Sequence, residues 1–163
     1  MTTISVVMIS QRARYAFKAV VALARAKPGE GLQIRRLCEQ EKLPRKFLEQ
    51  ILLSLKAAGY ITSRRGRDGG YELLKPADKI FIGPMLRSVD GPIAPLPCLS
   101  RTAYRRCEDC RDEACCELRI AFASAYGDYL NTLEGLSLAQ VMRQSDETVP
   151  GSPVVLEPLG AGR

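Results

Sequence analysis

A short segment, YITSRRGRDGGYELL at residues 60–74, leaves few folds open to this chain. Two runs rich in strand-forming residues, 60–63 and 71–74, flank a turn made of Gly and Arg, which is typical of a β-hairpin. Helix-like segments precede the hairpin at about 10–26, 33–41 and 44–58. Three helices followed by a basic hairpin is the order of a winged helix-turn-helix, in which the second helix of the helix-turn-helix pair enters the major groove of DNA.

The third helix has two distinct faces. Ser10 is a suitable N-cap for the first helix, whereas Pro44 and Gly59 are suited to begin and end the third. The apolar face of the third helix is predicted to be buried and comprises Phe47, Leu48, Ile51, Leu52 and Leu55. The polar face carries groups that suit base edges and phosphates, namely Arg45, Lys46, Glu49 and Gln50. An amphipathic helix of any small α protein would show the same periodicity.

The hairpin turn is more specific. Arg64, Arg65 and Arg67 crowd a turn with three glycines, and arginines so placed suit a narrow minor groove. Residues 1–75 hold 15 Lys and Arg against 6 Asp and Glu, as a phosphate-binding surface requires. A solvated basic face is the alternative when charge alone is considered.

The second half of the chain is organised differently. A short helix is expected at about 80–90, an extended connector at 91–97, a cysteine loop at 98–116 and a long helix at 117–135. Apolar residues at 118, 122, 125, 129 and 136 are spaced as in a two-helix seam with a partner chain, and packing on the chain's own domain is the alternative. The predicted fold is mainly α with a small β-hairpin wing, a winged helix-turn-helix domain plus a long dimerisation helix. The expected units are a DNA-binding domain (8–80), a linker helix, cysteine-rich loop and dimerisation helix (81–143), and a disordered tail (144–163).

The chain contains no histidine and six cysteines. The lack of histidine excludes Ser-His-Asp and Cys-His nucleophile systems and histidine metal ligands. No apolar run reaches the ~20 residues that span a bilayer, and the first eight residues do not resemble a secretory signal, so we expect a cytoplasmic protein without membrane contact. Five cysteines lie within 19 residues: Cys98, Cys107, Cys110, Cys115 and Cys116. In a reducing compartment this clustering is more typical of a metal site than of a disulfide framework.

The chain resembles the Rrf-type family of bacterial regulators (IscR- and NsrR-like proteins) over about residues 8–142. The resemblance rests on the runs ISQRARYAFKAVVALA and LPRKFLEQILLSLKAAGYITSRRGRDGGYELLKPADKI, and on a cysteine loop ahead of a long helix. It implies a dimeric DNA-binding regulator, which in many members carries an iron–sulfur cluster bound through three cysteines. It also implies that Glu49 reads the major groove and that Arg65 enters the minor groove.

The resemblance further suggests a ligand set for a cluster, most simply 2Fe-2S. Cys110 and Cys116 match the last two family ligands, and Cys98 stands as the first at a longer interval than usual. The positions of the family's fourth ligand are here Arg119 and Arg14, which cannot coordinate iron. Cys107 then completes an all-thiolate set, with a non-cysteine fourth group as the alternative. Cys115 adjoins Cys116 and Cys38 falls at an apolar helix position, so neither is expected to be a ligand.

We therefore expect a homodimeric regulator, acting as a repressor, that binds a near-palindromic operator in double-stranded DNA. Its affinity would be switched by the cluster in response to iron, redox state or nitric oxide. The residues leave open a zinc site, because Cys107 and Cys110 have a common zinc spacing. A cluster-free thiol-redox or ligand-responsive regulator is also open. No acid–base pair or phosphate loop is present, so an enzyme is not expected.

Overall fold

The computed structural model describes residues 9–27, 29–66 and 69–148. Within these ranges the helices are α1 (Gln11–Arg25), α2 (Ile34–Glu41), α3 (Arg45–Ala57), α4 (Ile82–Asp90), α5 (Glu117–Gly135) and α6 (Leu138–Glu147). The strands are β1 (Ile61–Arg64) and β2 (Gly70–Leu73), and short 3-10 turns lie at Ala77–Lys79 and Pro97–Leu99. The predicted fold class, mainly α with a two-stranded wing, is confirmed. None of the described helices is long and apolar enough to cross a membrane.

The start of α1 is fixed to the end of α4. The Ser10 hydroxyl caps α1 as predicted and accepts a hydrogen bond from the Ala13 amide at 3.0 Å. The same hydroxyl donates to the Asp90 carboxylate at 2.6 Å, and the Ser10 amide donates to it at 3.2 Å. An N-cap of this kind contributes about 1 kcal/mol. Because Asp90 ends α4, the cap also holds two helices together.

The core is formed mainly by α1, α3 and α4. Leu48, Ile51, Leu52 and Leu55 of α3 are fully buried, as the periodicity predicts. The prediction for Phe47 is wrong: the side chain is 36% exposed and packs edge-to-face against Tyr15, with ring centroids 5.6 Å apart. The buried face of α3 is therefore narrower than the predicted stripe, and Phe47 lies beside it against Tyr15 of α1.

Helix α4 belongs to this same core rather than to a linker. Met85 is fully buried and Ile82, Leu86 and Val89 are nearly so, in one cluster with the residues of α1 and α3. Leu138 of α6 is part of the cluster as well. The boundary predicted between residues 80 and 81 therefore cuts through one continuous core.

The wing is anchored to the connection between α1 and α2. Strands β1 and β2 pair antiparallel, from Ile61 opposite Leu73 to Arg64 opposite Gly70. Tyr71 and Leu32 exchange two backbone hydrogen bonds of 2.9 Å. A Cβ atom on Gly70 would lie 2.6 Å from the carbonyl carbon of Gly31, so this close approach of backbones requires glycine.

Helix α5 has the predicted bounds, and its buried residues lie in its second half. Tyr126 and Leu130 are buried, and the Tyr126 hydroxyl donates to the Ile93 carbonyl. Where α5 crosses α4, a Cβ atom on Gly83 would lie 3.3 Å from the backbone of Leu133 and Glu134. The crossing of the two helices is therefore close.

Helix α6 begins with a capping box between Ser137 and Gln140 and continues to Glu147. A disordered tail from residue 144 was predicted, and for residues 144–147 this is wrong. The last turn is held by an ion pair of 2.7 Å between Asp146 and Arg25 of α1. Residues 149–163 of the predicted tail lie outside the described residues.

Candidate functional sites: a helix–wing surface and a cysteine cavity

The outer side of α3 displays the four predicted DNA-contacting residues of this helix. Arg45, Lys46 and Gln50 are exposed, whereas Glu49 is partly exposed. The Arg45 Nε atom donates to the Glu49 carboxylate at 3.0 Å. The two residues are one helical turn apart at the surface, where such ion pairs contribute only about a few tenths of a kcal/mol to stability. Their groups can therefore exchange partners at little cost.

Two hydrogen bonds fix α3 relative to its neighbours. An Arg12 Nη atom on α1 donates to Ser54 Oγ at 2.6 Å. At the end of α3, Lys56 Nζ donates to Ser63 Oγ of β1 at 2.6 Å. Together these contacts hold the outer side of α3 and the wing as one surface.

The three wing arginines differ in their surroundings. Arg64 is held within the wing, because it donates to the Gly29 carbonyl at 3.4 Å and lies 3.7 Å from the Glu72 carboxylate. Arg65 is exposed, and its side chain has no hydrogen bond or ion pair within the part of the chain that the structure describes. Arg67 lies outside the described residues. Arg65 is thus the described wing arginine whose donors are available to another molecule.

Cys38 lies apart from the other cysteines. It is half-buried on α2 and packs against the core cluster. Burial raises the pKa of the Cys38 thiol, and the nearby Arg45 guanidinium opposes this effect. Its position agrees with the prediction that it packs as a small apolar residue.

The five remaining cysteines line one cavity of about 380 Å³ between the 98–116 loop and the first turns of α5. Cys98 is buried in the Pro97–Leu99 turn, and Cys116 is the residue that precedes the first turn of α5. Cys107, Cys110 and Cys116 are half-buried, whereas Cys115 is exposed at the rim. The structure therefore brings all four predicted ligands, and Cys115 with them, to the same cavity.

Hydrogen bonds organise the loop around this cavity. The Cys110 amide donates to the Cys107 carbonyl at 3.2 Å, which closes a tight turn. Arg106 donates to the carbonyls of Cys110 and Arg111, at 3.1 and 2.8 Å. Partial burial, together with a hydrogen bond between the thiols of Cys107 and Cys98, raises the pKa of Cys107. Cys98 and Cys107 are therefore neighbours in the cavity.

The resemblance implies for Arg119 only that it cannot coordinate iron, yet its side chain lines the cavity. Its Nη1 atom donates to the Cys98 carbonyl at 2.6 Å and lies 3.5 Å from the Glu113 carboxylate. A hydrogen bond with the Cys98 side chain raises the pKa of the Arg119 guanidinium. The sequence contained one signal for this role: Arg119 follows Cys116 by three residues, and helical side chains lean toward the N-terminus.

The donor set suits an iron–sulfur cluster by its chemistry, since thiolates are the usual ligands of such clusters and of tetrahedral zinc. Within residues 9–27, 29–66 and 69–148, however, no three Cys, Asp or Glu side chains converge closely enough to hold a metal ion. Ligation would therefore require the thiols around the cavity to move closer together.

Comparison with known proteins identifies the family of this chain. The profile of the Rrf2 family, described as "Iron-dependent Transcriptional regulator", matches residues 9–144. A Rhodobacter capsulatus protein named as an Rrf2-like HTH-type transcriptional regulator is 45% identical over 138 residues, which cover 83% of this chain and 92% of the relative.

Solved structures show the same fold. CymR, the global cysteine regulator of B. subtilis, superimposes with a TM-score of 0.65 at 27% identity, covering 83% of this chain and 96% of CymR. T. potens IscR has a TM-score of 0.65 at 19% identity, covering 88% of this chain and 93% of IscR. The prediction of a regulator rather than an enzyme is confirmed by the family match. This chain belongs to the Rrf2 family of winged helix-turn-helix transcriptional regulators.

Proposed function

We propose that this chain regulates transcription as a homodimer that binds a near-palindromic operator and is switched by an iron–sulfur cluster, most simply 2Fe-2S. The outer side of α3 and the wing contact the DNA through Arg45, Lys46, Glu49, Gln50, Arg64, Arg65 and Arg67. Cys98, Cys107, Cys110 and Cys116 hold the cluster. Iron supply, redox state or nitric oxide acts by changing the occupancy or state of the cluster.

The observation that supports the cluster is that five cysteines line one cavity in a chain without histidine. A family described as iron-dependent makes iron the first metal to test. Arginines around the loop, such as Arg106 and Arg119, lie next to cysteines and would offset the negative charge of a thiolate-bound cluster.

The cysteine loop is connected to the DNA-binding core through Glu134 of α5. The Glu134 carboxylate accepts a hydrogen bond from Arg87 of α4 at 2.8 Å and one from Arg101 of the loop at 3.4 Å. A cluster that rearranges the loop acts on α4 and α5 through this carboxylate. If the two states of the loop hold the two DNA-binding units of a dimer at different separations, cluster binding and DNA binding are linked thermodynamically.

The first half of α5 supports a homodimer. Leu118 and Phe122, on the predicted seam, are 53% and 44% exposed, although apolar side chains of this size are usually buried. Tyr129 and Leu136, later on the same seam, are half-buried within their own chain. A second copy of α5 therefore covers the 118–125 part of the seam.

The cluster is tested by purifying the chain without oxygen and measuring iron, sulfide and zinc per chain together with the visible absorption spectrum. Equal iron and sulfide support the cluster, whereas zinc without sulfide supports the alternative zinc site. Binding to duplexes selected from a random pool is then measured for the loaded and the emptied chain. Selected sequences without an inverted repeat, or equal affinity in the two states, would contradict the proposal.

The dimer is tested by sedimentation equilibrium of a variant with Leu118→Glu and Phe122→Glu. We expect a monomer that keeps its helical circular dichroism, because neither residue is in the core. Ser124→Glu, which introduces a charge on another side of α5, is the matched control and should remain dimeric. A double variant that stays dimeric would place the interface elsewhere.

The position of Cys98 and Cys107 as neighbours in one cavity supports a second candidate, a thiol switch without a cluster. A peroxide would oxidise one thiolate to a sulfenic acid, and the other thiolate would displace hydroxide to form the disulfide; the peroxide is reduced to water or an alcohol. A chain purified without iron that loses two free thiols on peroxide treatment, and changes its DNA affinity with them, would favour this candidate over the cluster.

A further inference from the structure

Arg119 connects the two ends of the cysteine loop. Its Nη1 atom donates to the carbonyl of Cys98, at the start of the loop, at 2.6 Å. The same nitrogen lies 3.5 Å from the carboxylate of Glu113, near the end of the loop. The side chains of Arg119 and Glu113 are only 32% and 24% exposed, so this ion pair is better shielded from water than a surface pair.

Glu113 is itself held in place. The Tyr104 hydroxyl donates to its carboxylate at 2.5 Å. Tyr104, Glu113, Arg119 and Cys98 thus form a continuous chain of hydrogen bonds and one ion pair. Because Arg119 lies in the first turn of α5, the chain attaches both ends of the loop to a regular helix.

We propose that Arg119 is the positioning residue of the thiol site, which holds Cys98 at a fixed place relative to the α5 start where Cys116 lies. This inference rests on the proposed function, since it takes the loop to bind a metal or cluster. The turn that carries Cys107 and Cys110 is not held by these contacts and is free to move for ligation. That turn is stabilised by hydrogen bonds within the loop and carries no buried apolar residue.

The advantage of such a contact is entropic. Bringing the ends of a flexible loop together costs conformational entropy, which weakens metal binding. A loop whose ends are already held loses less of this entropy on ligation. An arginine suits the task because its guanidinium stays charged and presents several donors to two acceptors at once. Groups that orient metal ligands without touching the metal change metal affinity by ~10–100-fold when they are removed.

The test is the binding of Co²⁺ to the full, cluster-free chain under reducing, oxygen-free conditions, followed by thiolate-to-Co²⁺ charge-transfer absorption. Arg119→Ala should weaken Co²⁺ binding ~10–100-fold. Arg105→Ala is the matched control, because it removes the same charge from an exposed side chain of the same loop, and it should bind as the unaltered chain does. Equal losses in both variants would reduce the effect to net charge and overturn the inference.

Glu113→Ala provides a second variant that interrupts the same contacts. It should also weaken Co²⁺ binding, and adding it to Arg119→Ala should cause less loss than the two separate effects combined. The visible circular dichroism of a cluster reconstituted in Arg119→Ala should differ from that of the unaltered chain, a signature that a loss of fold stability alone does not produce.

The outcomes separate the inference from the proposed function. If the unaltered chain binds Co²⁺ and a cluster, and Arg119→Ala binds both equally well, the inference alone is wrong. If the unaltered chain binds neither, the proposed metal site is wrong and the inference falls with it.

Discussion

The DNA-binding half and the cysteine loop are held together by different forces. The core cluster contains 19 buried residues from α1 to α4 with their connections and from α6, and none from residues 98–116. Within the loop, the buried residues are Cys98 and Ser100. The loop conformation is set instead by hydrogen bonds and ion pairs, such as those of Arg106 and Arg119.

The proposed switch requires this difference between the two regions. Apolar burial makes the helix-turn-helix a cooperative unit, whereas a loop with little buried apolar surface can rearrange at a much lower free energy. A ligand can therefore restructure the loop without unfolding the part that contacts DNA. If the two regions are as independent as their packing indicates, a substitution in one should leave the stability of the other unchanged.

The largest effect is expected at the cysteines. Alanine at Cys98, Cys107, Cys110 or Cys116 should remove most of the cluster, because the chain has no histidine to replace a lost thiolate. Cys38→Ala and Cys115→Ala should retain it. The measurement is iron and sulfide per chain after reconstitution without oxygen.

Two results of that series would revise the ligand set. Full iron and sulfide in Cys107→Ala would show that the fourth ligand is not a cysteine. Loss of the cluster in Cys115→Ala in place of Cys116→Ala would shift the last ligand by one residue. In either case Cys107→Ala and Cys110→Ala should unfold in urea as the unaltered cluster-free chain does, since neither side chain is in the core.

A loss of fold stability is expected instead at Leu52 of α3, which is fully buried. Leu52→Ala should lower the free energy of unfolding by about 2–5 kcal/mol, because it removes buried methyl groups and leaves a cavity. Leu53→Ala, at a neighbouring position that is 59% exposed, should change it by less than about 0.5 kcal/mol. Urea unfolding followed by circular dichroism gives both values. Similar values for the two variants would mean that α3 is not packed as described.

The secondary structure of the first half could be predicted because its signals are local. Ser10, Pro44 and Gly59 mark helix ends, and the observed bounds of α1 and α3 differ from the prediction by one residue at each end. The bounds of α5 were predicted without error. The continuation of α6 was missed because Asp146 is held by Arg25, a residue 121 positions away, which no local pattern reveals.

The candidate sites were also predictable only where their signals are local in the sequence. That five cysteines share a loop is visible in the sequence, and their common cavity agrees with this grouping. The connection from Tyr104 through Glu113 to Arg119 depends on how the loop folds back onto α5. Similarly, the exposure of Phe47 depends on how far α1 covers α3, which helical periodicity cannot give.

An intermediate effect is expected on the rigid surface. Arg65→Ala should weaken operator binding by about 1–3 kcal/mol, because it removes the exposed guanidinium that contacts DNA. Glu49→Ala should mainly relax base preference, because a carboxylate discriminates among bases and does not attract phosphate. Arg143→Ala on α6 removes the same charge away from α3 and the wing, and serves as the control. Fluorescence anisotropy with matched and mismatched duplexes measures both effects; unchanged affinity and preference in the two test variants would refute the proposed contacts.

The smallest expected effect is a difference in reactivity between one thiol of the DNA-binding half and one thiol of the cysteine loop. In the cluster-free chain, Cys38 should react with iodoacetamide more slowly than the exposed Cys115 near neutral pH. Burial raises the pKa of Cys38 above the ordinary 9.0, so less of the reactive thiolate is present there, and access is restricted as well. Because the pKa is raised, the rate at Cys38 should still be rising at a pH where an ordinary thiol approaches its plateau. Peptide mass spectrometry over a series of pH values gives both rates. Equal rates at Cys38 and Cys115 would show that α2 opens as readily as the loop, and the contrast between a rigid half and a responsive half would then not hold.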